Sequence, residues 1–115
     1  MRSGASTPEE LEALLEDAFV LRDRDALTEL FDDAAVLAVG TGRREARGGA
    51  AIRRLANELC LGSRTYVAQP RRVVQARDTA LVVAERAISV ARRGGDGWRY
   101  TISLLSLERD PKEER

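Results

Sequence analysis

The sequence predicts an α+β domain, helical in its first half and sheet in its second. Three observations carry that reading. Apolar residues between positions 8 and 60 recur largely at helical spacing, behind recognisable capping residues. From residue 65 onward, runs rich in valine, isoleucine and threonine suit strands. Between two of those runs stands Gly94-Gly95-Asp96-Gly97, whose composition marks a hairpin turn.

Residues 1–6 are small and polar and are expected to be disordered. Thr7-Pro8-Glu9-Glu10 starts helix 1, with Thr7 as N-cap, Pro8 at the first helical position and Glu10 completing a capping box. Leu11, Leu14, Leu15, Ala18 and Phe19 then form one stripe, so the helix should run to about Arg22 and bury Leu11, Leu14, Leu15 and Ala18. Asp23 or Asp25 caps a shorter helix carrying Leu27, Leu30 and Phe31, and Asp32-Asp33 should end it. Ala34 to Val39 reads as a buried strand, Gly40-Thr41-Gly42 as a turn, and Arg43 to Arg47 as a short return strand. After Gly48-Gly49 a third helix spans Ala50 to Cys60, burying Ile52, Leu55 and Leu59, with Gly62 as its C-cap.

The remainder reads as sheet. Thr65 to Ala76 is a long strand that Pro70 interrupts with a bulge or an edge position. Arg77-Asp78 turns the chain. Thr79 to Arg93 is either one strand or two, broken at Glu85-Arg86. Trp98 to Glu108 closes the sheet. The expected single domain covers residues 7–109, and 110–115 form a charged tail.

Composition excludes several classes of function. A chain of 115 residues should bury roughly 65% of its unfolded surface, so it needs neither disulfide nor metal to fold. Nineteen basic and nineteen acidic side chains give zero net charge, which argues against nucleic acid as a partner. The paired arginines at 43–44, 53–54, 71–72 and 92–93 read as solvated faces. No apolar run approaches the ~18 residues of a membrane span, and the N-terminus lacks the apolar stretch of a signal peptide. With Cys60 as the only cysteine, the expectation is an unexported, cytoplasmic protein. Histidine is absent, and no carboxylate set has ligand spacing, so neither a metal nor any other cofactor is expected. The missing histidine also removes the usual general base. Gly40-Thr41-Gly42 lacks the third glycine of a dinucleotide fingerprint and reads as a turn.

Four phrases resemble the nuclear-transport-factor-2-like superfamily, in particular its SnoaL-like branch. Asp23-Arg24-Asp25-Ala26-Leu27, followed by Leu30 to Leu37, is similar to its second-helix-to-strand passage. Gly48-Gly49-Ala50-Ala51-Ile52 resembles the start of its third helix, Arg77 to Val83 a turn and strand, and Asp96-Gly97-Trp98-Arg99 a hairpin. The phrases span about residues 9–108. The resemblance implies three N-terminal helices packed on a curved, mostly antiparallel sheet around a pocket. It implies fold and not function, because the fold hosts isomerases, cyclases, dehydratases, hydrolases and non-catalytic binders. Relatives carry an extra strand where this chain has only Ala84 to Arg93, which implies a shallower or more open pocket.

The candidate site residues follow from these readings. Through the resemblance, the isomerases' proton-shuttling aspartate and oxyanion-donating tyrosine fall near Val39 and Leu15, so that mechanism is not expected. Glu85 and Asp33 are the weak catalytic candidates. Glu85 stands in an apolar segment or, more plainly, in a turn beside Arg86, and Asp33 reads as a turn acid. Cys60 reads as a small buried hydrophobe. Phe19, Phe31, Leu55, Leu59, Tyr66, Trp98 and Tyr100 are the pocket candidates, with core packing as the plain alternative for the aromatic ones.

The leading expectation is a small-molecule-binding domain for a small apolar ligand. A ligand-free dimeric interaction module and a degenerate lyase or isomerase are the rivals. A three-residue loop at Gly95–Gly97 would set Ile88 and Val90 beside Leu104 and Ile102. Alternation then turns Trp98, Tyr100, Ile102 and Leu104 toward the helices. Leu105 and Leu107 are left on an outer face that suits a homodimer.

Overall fold

Thr7 does the work its position predicts: its hydroxyl accepts from the Glu10 amide at 3.0 Å, while the Glu10 carboxylate reaches back to the Ser6 amide. The structure, a computed structural model, describes residues 4–40, 44–62 and 65–107. Three helices are α1 (Pro8–Val20), α2 (Arg24–Glu29) and α3 (Gly49–Leu61). Six strands follow or interleave: β1 (Phe31–Val39), β2 (Arg44–Arg47), β3 (Pro70–Ala76), β4 (Thr79–Ala84), β5 (Ala87–Gly94) and β6 (Gly97–Leu105). They form one open, curved sheet in the order β2-β1-β6-β5-β4-β3, antiparallel except where β1 meets β6.

Asp23 is the cap of α2, accepting from the Ala26 amide at 3.0 Å. Asp32 and Asp33, expected to end that helix, instead lie inside β1. There the Asp32 carboxylate accepts from the Ala34 amide, and the register against β6 slips between Phe31 and Val36. A short acid that folds back on its own backbone is a natural seat for such an irregularity. Of the expected turn Gly40-Thr41-Gly42 only Gly40 is described; Thr41, Gly42 and Arg43, the expected first residue of the return strand, lie outside the described residues. β3 begins at Pro70, five residues later than the expected Thr65, with a register shift at the proline. Glu85-Arg86 does break the next segment in two, giving β4 and β5.

The helices cover the inner face of the sheet. Leu11, Leu15, Ala18 and Phe19 of α1 are buried, as are Ile52, Leu55, Ala56 and Leu59 of α3. Leu14 is only half-buried, and Glu12 takes its place in the stripe. Residues 4–6, expected to be disordered, run beside β6 instead. Ala5 forms an antiparallel bridge with Trp98 and is 1% exposed, because the backbone of Gly97 leaves room for it. Residues 1–3 and the charged tail lie outside the described residues.

The last strand corrects one expectation. Gly94 pairs with Gly97, so the hairpin loop is the two residues Gly95-Asp96. Ala91 then pairs with Tyr100, but Val90 pairs with Ile102, leaving Thr101 as an extra residue. Ile88 still meets Leu104 and Val90 still meets Ile102, yet the bulge reverses the alternation beyond it. Trp98, Tyr100, Ser103 and Leu105 therefore point inward, while Ile102 and Leu104 point outward. Leu105 is a core residue and not an outer-face contact.

Candidate functional site

Pro8, Leu15 and Phe19 stand four residues before, three after and seven after Glu12, so helical geometry aims its carboxylate at the sheet. Glu12 is 1% exposed. Its Oε1 accepts from the Tyr66 hydroxyl at 2.6 Å, and its Oε2 accepts from the Tyr100 hydroxyl. Three remote segments meet there: α1, the stretch before β3, and β6. Next to it, Glu16 accepts from the Ala68 amide at 2.6 Å, so two acids one turn apart fasten residues 66–68 to α1.

Burial pushes both phenol pKa values up, and the Glu12 carboxylate reinforces the shift. Tyr66 lies against Phe19 with ring centres 6.3 Å apart, and Tyr100 against Phe31 at 5.4 Å. Nearby on the inner face, Ser89 and Ser103 are both buried with hydroxyls 2.8 Å apart.

Beside this sealed cluster lies a cleft of about 280 Å³ between α1, α2 and the start of β6. Leu14, Ala18, Leu21, Ala26, Leu30 and Trp98 give it apolar walls; Asp17, Glu29 and Arg99 bring polar groups, and Gly4-Ala5 form one side. Arg99 is held in place: its Nε donates to the Glu29 carbonyl at 3.0 Å and its Nη1 to Asp96 at 2.6 Å. The guanidinium in turn lowers the Asp96 carboxyl pKa.

All seven pocket candidates are buried, and they divide by position. Phe19, Phe31, Tyr66 and Tyr100 surround the Glu12 cluster, and Leu55 and Leu59 belong to the same core beneath α3. Trp98 belongs to that core too, and it alone of the seven lines the cleft. The weak catalytic candidates lie elsewhere. Glu85 sits in the β4–β5 turn, where Arg71 donates to it from Nε at 2.8 Å. Asp33 is exposed on an adjoining groove, lined also by Asp32 and Asp96, that shares Glu29 and Arg99 with the cleft. Cys60 is half-buried, and burial pushes its thiol pKa up, which disfavours the nucleophilic thiolate. Glu12 was missed because a charged residue inside an apolar stripe is ordinarily counted to the solvent side. Its spacing from Pro8, Leu15 and Phe19 was the available signal.

An α+β sheet of this order, with helices on its concave face, defines the class: the chain has the nuclear-transport-factor-2-like, cystatin-like fold. No protein-family model matches the sequence, and no curated protein does. Among solved structures, an NTF2-like protein with a cystatin-like fold from Novosphingobium aromaticivorans is 25% identical, with a TM-score of 0.70 over 86% of this chain and 78% of its own. A candidate calcium/calmodulin-dependent protein kinase type II association domain from Thiobacillus denitrificans is 19% identical, with a TM-score of 0.78 over 94% of this chain and 100% of its own. A ketosteroid isomerase-like protein from Erwinia carotovora atroseptica is 18% identical, with a TM-score of 0.72 over 89% and 94%. Among the described residues, no helix is long and apolar enough to cross a membrane.

Proposed function

We propose that this chain is a small-molecule-binding domain whose ligand occupies the cleft between α1, α2 and β6. The observation that carries the reading is the cleft itself, with six apolar side chains gathered around about 280 Å³. That volume is just under the ~300 Å³ at which drug-sized sites begin, so it suits a ligand of one or two rings. Asp17 and Glu29 line the cleft beside a single cation, Arg99, which is already paired with Asp96. A neutral or cationic apolar compound is therefore favoured over an anion. Phe19, Phe31, Tyr66 and Tyr100, gathered around Glu12, do not line the cleft; they share the core to which Trp98 belongs. Asp17 and Glu29 are the acids through which turnover in this cleft would run, whereas Glu85 and Asp33 face other surfaces. The name of the ketosteroid isomerase-like neighbour supports small-molecule use of the fold. The single half-buried thiol fits a cytoplasmic setting.

The test is an NMR titration of the protein with 2-naphthol, 2-naphthylmethylamine and 2-naphthoate. Shifts at the Trp98 indole, Ala18 and Leu30 with the first two compounds, and weaker shifts with the carboxylate, are expected. Ala26→Phe, which fills the cleft, should abolish them. Shifts confined to other surfaces would overturn the reading.

A second reading concerns assembly and rests on the outer sheet face. Leu81, Ile88, Ile102 and Leu104 are 41%, 51%, 49% and 47% exposed. The register joins Leu81 to Ile102 through Val90, and Ile88 directly to Leu104. A contiguous apolar face of this kind supports a homodimer formed sheet to sheet.

A further inference from the structure

We infer that residues Gly4–Ser6 are a strap that gates the cleft, an inference that rests on the cleft being the binding site. Three walls of the cleft belong to elements rooted in the core: α1 through Leu11 and Leu15, α2 through Leu27, and β6 through Tyr100 and Leu105. The fourth wall, Gly4-Ala5, is different in kind. It is fastened by backbone: the Trp98 amide donates to the Ala5 carbonyl at 2.9 Å, and the Gly4 amide donates to the Asp96 carbonyl. Beyond those bonds and the Ser6 amide on Glu10, its grip on the core is a single buried methyl, that of Ala5. A segment held this way opens at far lower cost than a wall built from packed leucines.

The crossing also depends on two missing side chains. A Cβ built on Gly97, where φ is +120°, would stand 2.7 Å from the Ala5 carbonyl oxygen and 2.7 Å from the Gly4 carbonyl carbon. A Cβ on Gly4 would stand 2.8 Å from the Asp96 carbonyl oxygen. Both clashes are with backbone, which no rotamer change relieves. The strap thus seats only where hairpin and N-terminal segment are both glycine. When it lifts, the face of Trp98 that borders Ala5 opens to water and the cleft gains a mouth. Ligand would enter through that side, and reseating of the strap would hold it.

Gly4→Ala is the clean probe, because it unseats the strap without straining the positive-φ residue of the hairpin. Trp98 is the only tryptophan, so acrylamide quenching of its fluorescence reads the strap with no ligand present. Circular dichroism and urea melts confirm that the variant keeps its fold, and removal of residues 1–5 provides a second variant. Both variants should raise the quenching constant several-fold. Both should also speed association and dissociation of 2-naphthylmethylamine, measured by stopped flow. Binding to the variants but not to the parent chain would equally support a gate, one that is closed at rest. Unchanged quenching overturns the strap. Raised quenching with unchanged ligand rates overturns the gate and leaves the cleft reading standing. If neither parent nor variants bind, the gate falls together with the cleft reading, and the quenching result still records whether the strap opens.

Discussion

The Tyr100 hydroxyl donates to Oε2 of Glu12 across 88 positions of sequence, with both groups sealed from water. The other oxygen of the same carboxylate holds Tyr66. Removing the acceptor would strand two buried phenols. Glu12→Ala should therefore cost about 3–5 kcal/mol, combining two unsatisfied hydroxyls with a cavity. Glu12→Gln keeps one carbonyl acceptor and should cost about 1–2 kcal/mol. Urea denaturation measures both, and a loss below 1 kcal/mol for the alanine variant would show that the cluster contributes nothing to stability.

The same burial sets an alkaline limit. Tyr66 and Tyr100 are the only tyrosines, and both phenol pKa values lie above the ordinary value in the folded chain. Their stabilising contribution is intact below pH ~10 and is lost above it, because the unfolded chain sheds two protons that the folded chain retains. Stability should fall there by roughly 2.7 kcal/mol per pH unit. Phenolate absorbance should rise together with the loss of helical circular dichroism. A phenol that ionises near pH ~10 in the intact fold would contradict this.

The bulge at Thr101 separates neighbours in sequence into different fates. Ile102→Glu and Leu104→Glu change the outer face, so they should leave the fold intact and drive a dimer toward the 12.7 kDa monomer in sedimentation. Leu105→Glu places a charge in the core and should prevent folding. A parent chain that sediments as a monomer at all micromolar concentrations would count decisively against pairing.

Helix α1 offers a paired comparison. Leu15 is fully buried, and Leu15→Ala should cost about 2–5 kcal/mol. Leu14 lines the cleft and is half-buried, so Leu14→Ala should cost clearly less while weakening ligand binding. Equal losses in thermal or urea melts would mean that the stripe is misplaced.

Local chemistry was legible in the sequence, and coincidences across the chain were not. The Thr7 cap, the Asp23 cap, the Gly62 helix end and the Gly94–Gly97 hairpin are each fixed by neighbours within a few residues. Whether Thr101 bulges depends on how β5 and β6 settle against the helices, and no short-range signal announces it. Tyr66, Trp98 and Tyr100 could be named as inward aromatics, but not the acid that joins two of them. The order of Gly4–Ser6 was hidden because its binding surface is the backbone of a hairpin more than ninety residues later.

The parallel pairing of β1 with β6 bears on how the chain acquires its structure. The β3-to-β6 meander is built from contacts close in sequence, and it can form quickly once those residues exist. β1 has no such option on its β6 side. Its parallel partner is more than sixty residues downstream, and the loop must close before any of that pairing is rewarded. On a ribosome, helices α1 to α3 would emerge with their apolar stripes unmatched and Glu12 still hydrated. β6, made after the other five described strands, is the one that gives β1 its parallel partner.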